Sequence, residues 1–252
     1  MPDRRLNMKN IITEYKSTAE ELVSACRRCA ELGYVTSAGG NLSIRVSQNI
    51  ILITPTKTPK RDVTVSDICA VDPDGNTIYA PEGKAPTGET PFHTRIYRLR
   101  SDIKAIVHAH PAVLTGFAIA GTDILEKAVL PEPAMEIGPI VTVPYETPLS
   151  EELSDNIGRV IGRSNGFLME NHGALFCSPH GVIDALDMLQ MAENMAVSVA
   201  VATVLGNARP IGEKYIQGIA DVAVKRHLPV PGGVPGNSVS DLFRVHKEKT
   251  VI

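Results

Sequence analysis

Val107-His108-Ala109-His110 sets two histidines two positions apart in an apolar, β-branched run. A strand alternates its side chains between faces, so both imidazoles point to one side and can converge on one cation. The plainer reading is a pair of core histidines, which would need a buried hydrogen-bond partner for each ring. His172, in Glu170-Asn171-His172-Gly173, is available as a third ligand, although Asn-His-Gly suits a turn equally well. Three protein ligands with one position left open is the arrangement of a catalytic transition-metal site, not of a closed structural one. Glu89, in Thr87-Gly88-Glu89-Thr90-Pro91-Phe92-His93, is either an acid favoured by a helix N-terminus or a general base near the metal. His93 and Arg95 follow on the same helix, where His93 can face Glu89 in a supporting role.

Two small, polar loops could hold an anion. Ser37-Ala38-Gly39-Gly40-Asn41 and Thr54-Pro55-Thr56-Lys57 offer backbone N–H groups and hydroxyls of the kind that cradle phosphate. Lys57, Lys60 and Arg61 add positive charge beside the second loop. A charged, solvated loop has the same composition, so this pattern leaves both readings open.

The elements that must position these residues can be read from periodicity and turn chemistry. Residues 8–33 have helical spacing in Ile11, Ile12, Tyr15, Ala19, Leu22, Val23, Cys26 and Cys29, and Gly33 ends that run. Strands are expected at 42–46, 50–54, 103–110 and 140–143. A hairpin joins 68–71 to 77–79 around Asp72-Pro73-Asp74-Gly75-Asn76. Helices are expected at 89–100, from Pro111 to about residue 120, and from a cap at Ser150. Residues 166–177 form a hairpin about Asn171-His172-Gly173. A helix near 180–205 is apolar on most faces and is expected to be heavily buried. After Gly206 the chain reads as irregular, with Pro229–Gly236 a loop or tail. The sum is one α/β domain, a mainly antiparallel sheet covered by helices, with residues 207–252 as an extension to a domain of residues 1–206.

Composition narrows the function classes. The chain of 252 residues, 43% hydrophobic and 21% charged, suits a domain with a sizeable core. A formal net charge of −3, with 4% aromatic residues and no Trp, argues against a nucleic-acid partner. No run of about 18 apolar residues is present, which argues against a membrane span. The charged start MPDRRLNMKN does not resemble a signal peptide. Cys26-x-x-Cys29 lies inside a helical pattern without a second such pair, so the four cysteines read as core residues in a reducing cytoplasm.

Taken together, S-A-G-G-N-L-S-I-R (37–45), I-T-P-T (53–56), E-x-x-x-H-x-x-I-Y (89–97), V-H-x-H-P (107–111) and E-N-H-G (170–173) resemble the class II sugar-phosphate aldolase and adducin family. That family contains L-fuculose-phosphate aldolase and L-ribulose-5-phosphate 4-epimerase. The resemblance spans about residues 15–205, including the 19 positions from Glu89 to His108. It implies a three-layer α/β/α sandwich around a mostly antiparallel sheet, and a homotetramer with sites at subunit interfaces. It also implies that His108, His110 and His172 bind zinc or another divalent ion such as manganese or cobalt, with Glu89 as acid/base. Gly40, Asn41, Thr54, Thr56 and Thr87 match the substrate and phosphate loops, with Lys57 and Gly88 beside them.

The implied reaction is retro-aldol cleavage of a small phosphorylated sugar such as L-fuculose 1-phosphate, through a metal-stabilised enediolate. A decarboxylase acting on a hydroxy-acid, or a sugar-phosphate dehydratase, would use the same metal. A non-catalytic adducin-like module would have lost the histidines. An epimerase would generally carry Asp in place of Glu89. The chain departs from the family pattern in three places. Lys57 stands where a glycine is common, Gly88 where a serine is common, and residues 111–144 lack the tyrosine acid of the fuculose-type enzyme. Glu132 or Tyr215 is a possible substitute for that acid.

Overall fold

The computed structural model describes residues 11–244. Residues 8–10 of the expected first helix, the charged N-terminal segment and residues 245–252 lie outside the described residues. Among the described residues eight strands hydrogen-bond in the order β4 (Thr77–Tyr79), β3 (Cys69–Val71), β2 (Ile50–Ile53), β1 (Asn41–Ser47), β5 (Ala105–Ala109), β8 (Gly173–Ser178), β7 (Gly166–Met169), β6 (Val141–Val143). The pairs β1–β2, β1–β5, β2–β3, β3–β4 and β7–β8 are antiparallel and β6–β7 is parallel, so the sheet is mixed and mostly antiparallel. The chain divides into two compact units, each built from separated segments. One comprises the described residues up to His110 with Glu146–Gly158 and Cys177–Leu186. The other comprises Pro111–Tyr145, Arg159–Phe176 and the described residues from Asp187 on.

In the first unit, α1 (Ile11–Glu14) is separated from α2 (Lys16–Glu31) by Tyr15, where one continuous helix was expected. The α2 stripe of Ala19, Leu22, Val23, Ala25, Cys26 and Cys29 is buried. Gly33, at φ +74°, closes the helix: its N–H reaches Ala30 O, and that of Tyr34 reaches Cys29 O. Both bonds satisfy end carbonyls that the helix itself leaves unpaired. Strand β1 (Asn41–Ser47) lies between β2 (Ile50–Ile53) and β5 (Ala105–Ala109), while β3 (Cys69–Val71) and β4 (Thr77–Tyr79) make the expected hairpin. The β1–β5 register sets Asn41 opposite His108 and Ser43 opposite Ile106.

Helix α3 (Thr90–Leu99) starts immediately after Glu89 and has Pro91 in its first turn, where a missing N–H costs nothing. Its other end is closed from β1. The Arg45 guanidinium donates to the carbonyls of Tyr97, Arg100, Ser101 and Ile103, complementing the negative end of the helix dipole.

In the second unit, β6 (Val141–Val143) pairs in parallel with β7 (Gly166–Met169), which returns through a tight turn into β8 (Gly173–Ser178). Helix α4 (Ala112–Ala120) follows Pro111. Its first N–H groups, those of Val113 and Leu114, are accepted at 2.9 and 2.8 Å by the buried carboxylate of Glu193. Helix α5 (Pro131–Glu136) precedes β6. Most of α6 (Glu151–Val160) belongs to the first unit, and it is capped as expected, Ser150 Oγ accepting the Leu153 N–H.

Two expectations are corrected. Helix α7 (Val182–Leu205) is long and apolar enough to cross a membrane, yet it carries the buried Glu193, and its burial stops at Val199. Val204 and Leu205 are 87% and 82% exposed. The Ala/Val composition has no period that would mark where cover ends. The segment after Gly206, read as irregular, contains α8 (Ile216–Lys225) and α9 (Val239–Arg244). Ala220, Ala223 and Val239 pack with Met135 of α5.

Gly166 has no room for a side chain: an added Cβ would sit 2.5 Å from Phe176 and 2.6 Å from Ile137. Gly166→Ala is expected to cost about 1–3 kcal/mol by overpacking. Urea unfolding checks this through the midpoint at unchanged slope, and an unaltered midpoint would contradict the packing argument.

Candidate active site

His108 lies in β5 and His110 one residue past its end, and their rings meet on one side as the two-residue spacing predicts. His108 is fully buried, with its ring edge-on to Phe92 at 5.7 Å. The two Nε2 atoms approach to 3.1 Å with the rings inclined by 70°. Two nitrogens bound at about 2.0–2.1 Å to one tetrahedral ion stand ~3.3 Å apart, so this spacing fits a shared cation. His172 sits in the β7–β8 turn, which Asn171 makes possible by adopting a φ of +54°, and its N–H bonds Met169 O at 3.0 Å. His108 and His110 belong to the first compact unit and His172 to the second; the pair in the first unit brings two ring nitrogens together as a metal site would need. Glu170, in the same motif, holds the frame: its carboxylate accepts the Tyr145 N–H at 2.9 Å.

Glu89 occupies the turn before α3, buried, with Oε2 3.3 Å from His108 Nε2. Its backbone N–H bonds Thr87 Oγ1 at 3.3 Å. Asn41 Nδ2 donates to Glu89 Oε2 at 2.6 Å, so the amide expected to serve a phosphate loop faces the carboxylate. Burial pushes the His93 imidazole down to about 3, with the nearby His108 adding to the effect.

Gly39 and Gly40 have steric reasons to be glycine. A Cβ on Gly39 would stand 3.2 Å from His110 Nδ1. One on Gly40, at φ +69°, would stand 2.6 Å from Val35 and 2.8 Å from His108 O. The second loop is braced from several sides. Thr54 is fully buried: its N–H reaches Leu42 O and its hydroxyl accepts the Leu42 N–H. The Thr56 N–H bonds Ala85 O, and the Thr87 N–H bonds Thr54 O. Gly88 is exposed, with the Leu149 side chain 3.0 Å from where a Cβ would be.

Lys57 takes φ +55°, the left-handed conformation that glycine favours, and its side chain is exposed. The loop therefore keeps a glycine-like backbone while presenting an ammonium. Lys60, read from sequence as a surface charge, is instead buried. Its ammonium donates to Ala38 O and Thr58 O at 3.2 Å each, which ties the two loops together. Arg61 pairs with Asp62 at the surface. Glu132 and Tyr215 are both exposed. Sequence reasoning gave no role to Ser43, Tyr97 or Glu193, all engaged in buried hydrogen bonds. Ser43 and Tyr97 stand in two of the quoted motifs, and Glu193 is a carboxylate amid apolar residues.

Gly40→Ala is expected to lose about 1–3 kcal/mol of stability. By displacing the His108 backbone, it should also weaken divalent-ion binding by roughly tenfold or more. Denaturant melts and competition with a chelating dye check both. Wild-type metal affinity in this variant would contradict the close approach.

The sequence profile described as "Class II Aldolase and Adducin N-terminal domain" matches residues 20–199. The chain is 37% identical over 153 residues to the L-fuculose phosphate aldolase of Methanococcus maripaludis, covering 61% of this chain and 80% of that one. It is 31% identical over 180 residues to the 3-oxo-tetronate 4-phosphate decarboxylase of Haemophilus influenzae, covering 69% and 80%. Among solved structures, an L-fuculose 1-phosphate aldolase superposes with a TM-score of 0.74 at 24% identity, covering 82% of this chain and 95% of that one. A sugar-phosphate aldolase from Thermotoga maritima gives 0.68 at 24% identity, covering 79% and 100%. At those identities the structural likeness shows the fold.

Proposed function

The chain belongs to the class II aldolase and adducin family, and from that premise we propose that it is a divalent-metal-dependent lyase. Its substrate is a small phosphorylated sugar such as L-fuculose 1-phosphate. The observation that carries this reading is the His108 and His110 Nε2 atoms 3.1 Å apart, with the buried Glu89 carboxylate 3.3 Å from that of His108; His172 is the third ligand of the proposal. An adducin-like interaction module has no use for such a set.

When bound, a divalent ion at these nitrogens supplies Lewis-acid polarisation of a substrate oxygen. An all-histidine donor set accommodates zinc, manganese or cobalt. Glu89 moves the proton at carbon as the carbon–carbon bond breaks, its carboxylate held by Asn41 Nδ2 and its backbone N–H by Thr87 Oγ1. Phe92 and the apolar β5 keep water from one side of the His108 ring. The exposed ammonium of Lys57 meets the anionic end of the substrate, beside Gly40, Thr56, Thr87 and Gly88.

The likeness to a relative named as a decarboxylase supports a second reading, loss of carbon dioxide from a 3-oxo acid phosphate with the same machinery. Four free, buried cysteines support a cytoplasmic protein. The exposed apolar end of α7, with Val197, Val201, Val204 and Leu205, supports a homo-oligomer, proposed as a tetramer with subunit-interface sites.

Reconstituted protein is expected to hold about one divalent ion per chain, and His110→Ala to lose it. Glu89→Gln is expected to keep the ion while turnover falls by about 100-fold or more. Elemental analysis paired with a retro-aldol and decarboxylation screen measures both. Wild-type protein without a stoichiometric ion, or an active Glu89→Gln variant, would overturn the assignment. Lys57→Gly is expected to raise KM for the phosphorylated substrate about tenfold while kcat stays within about twofold. An unchanged KM would remove Lys57 from the binding site.

A further inference from the structure

Glu89, His93 and Tyr97 recur every four residues along the start and body of α3, and Asn41 and Ser43 lie two apart on β1. Four helical residues advance about 6 Å, and two strand residues about 6.6 Å, so the rows interleave in step. The contacts follow that order. Asn41 Nδ2 donates to Glu89 Oε2 at 2.6 Å, and Asn41 Oδ1 lies 2.5 Å from His93 Nε2. His93 Nδ1 lies 2.7 Å from Ser43 Oγ, which is 2.9 Å from the Tyr97 hydroxyl. All five side chains are buried.

One set of proton positions satisfies the row from its acidic end. The Asn41 amide donates its N–H to Glu89 Oε2 and sets its oxygen against His93 Nε2. That oxygen only accepts, so His93 must carry its proton on Nε2. In a neutral ring Nδ1 then accepts from Ser43, and Ser43 Oγ accepts from the Tyr97 hydroxyl at 2.9 Å, the alternative acceptor, Lys104 O, lying farther off at 3.4 Å. Full burial of His93 favours the neutral ring.

We propose that His93, as the neutral Nε2–H tautomer, is a positioning residue that locks the Asn41 amide with its N–H on Glu89, and that Ser43 and Tyr97 fix the tautomer. The proposal rests on Glu89 being the acid/base. Were the amide turned over, its oxygen would face the carboxylate at hydrogen-bond distance, and the repulsion would move Glu89 off its seat beside His108.

Nitrogen-15 NMR of the imidazoles in wild-type protein at neutral pH tests the tautomer without any substrate. A His93 signal with a proton on Nε2 and none on Nδ1 is expected; protonation on Nδ1, or on both nitrogens, would overturn the proposal. Kinetics with L-fuculose 1-phosphate test the consequence. His93→Leu is expected to lose about 10–100-fold in kcat with KM and bound metal within about twofold. His93→Gln, whose amide N–H can reach Asn41 Oδ1, is expected to recover most of that loss. Equal loss in the Leu and Gln variants, or an unchanged kcat in His93→Leu, would refute the positioning role. Glu89→Gln run alongside separates the two ideas, because an active Glu89→Gln variant removes the base assignment while the NMR still reports on the tautomer.

Discussion

Helix α3 is fastened to strand β1 by polar contacts at every second strand residue: Asn41 between Glu89 and His93, Ser43 between His93 and Tyr97, Arg45 on the carbonyl end of the helix. The placement of Glu89 depends on this seam. Leaving one such buried group unpaired costs about 1–3 kcal/mol. A slip of β1 by one residue would turn all three side chains to the other face of the sheet. The same strand pairs with β5 so that Asn41 stands opposite His108. One ladder therefore fixes the carboxylate from α3 and the imidazole from β5 in a common frame, at 3.3 Å.

The loops beside that frame are held by steric and electrostatic means. Gly40 lets the backbone pass within contact of the His108 carbonyl, and Lys60 spends its buried charge on Ala38 and Thr58 carbonyls. The backbone N–H groups of Thr54, Thr56 and Thr87 bond neighbouring carbonyls. Against that braced loop, Lys57 offers an exposed cation on a backbone bend that disfavours lysine. Backbone strain of this kind collects at functional sites, which is why the exposed ammonium of Lys57 enters the proposal.

Much of this was readable from the chain. The i, i+2 histidines specified a strand face, Gly33 marked the end of α2, Asp72–Asn76 marked a hairpin, and Ser150 marked a cap. Each of these signals is local. What escaped reading is non-local or cancels along the chain. Nothing near Asn41 tells which of its neighbours it will meet, because that is set by the β1–α3 register. Lys60 reads as surface charge until two loop carbonyls are brought to it by the fold. The exposed end of α7 is Ala and Val on several faces, which erases the 3.6-residue period that distinguishes a covered face from a bare one. Helix α8 does carry that period, in Ile216, Ile219, Ala220 and Ala223, but over only ten residues between Gly- and Pro-containing segments.

Solvent deuterium exchange into dihydroxyacetone phosphate, the ketose fragment that cleavage of L-fuculose 1-phosphate would release, tests most directly whether this site moves a proton at carbon. The account predicts incorporation at the hydroxymethyl carbon by zinc-, manganese- or cobalt-reconstituted wild-type protein. Incorporation should vanish in His110→Ala and in Glu89→Gln. Exchange by Glu89→Gln at the wild-type rate, or none by the reconstituted wild type, would contradict it.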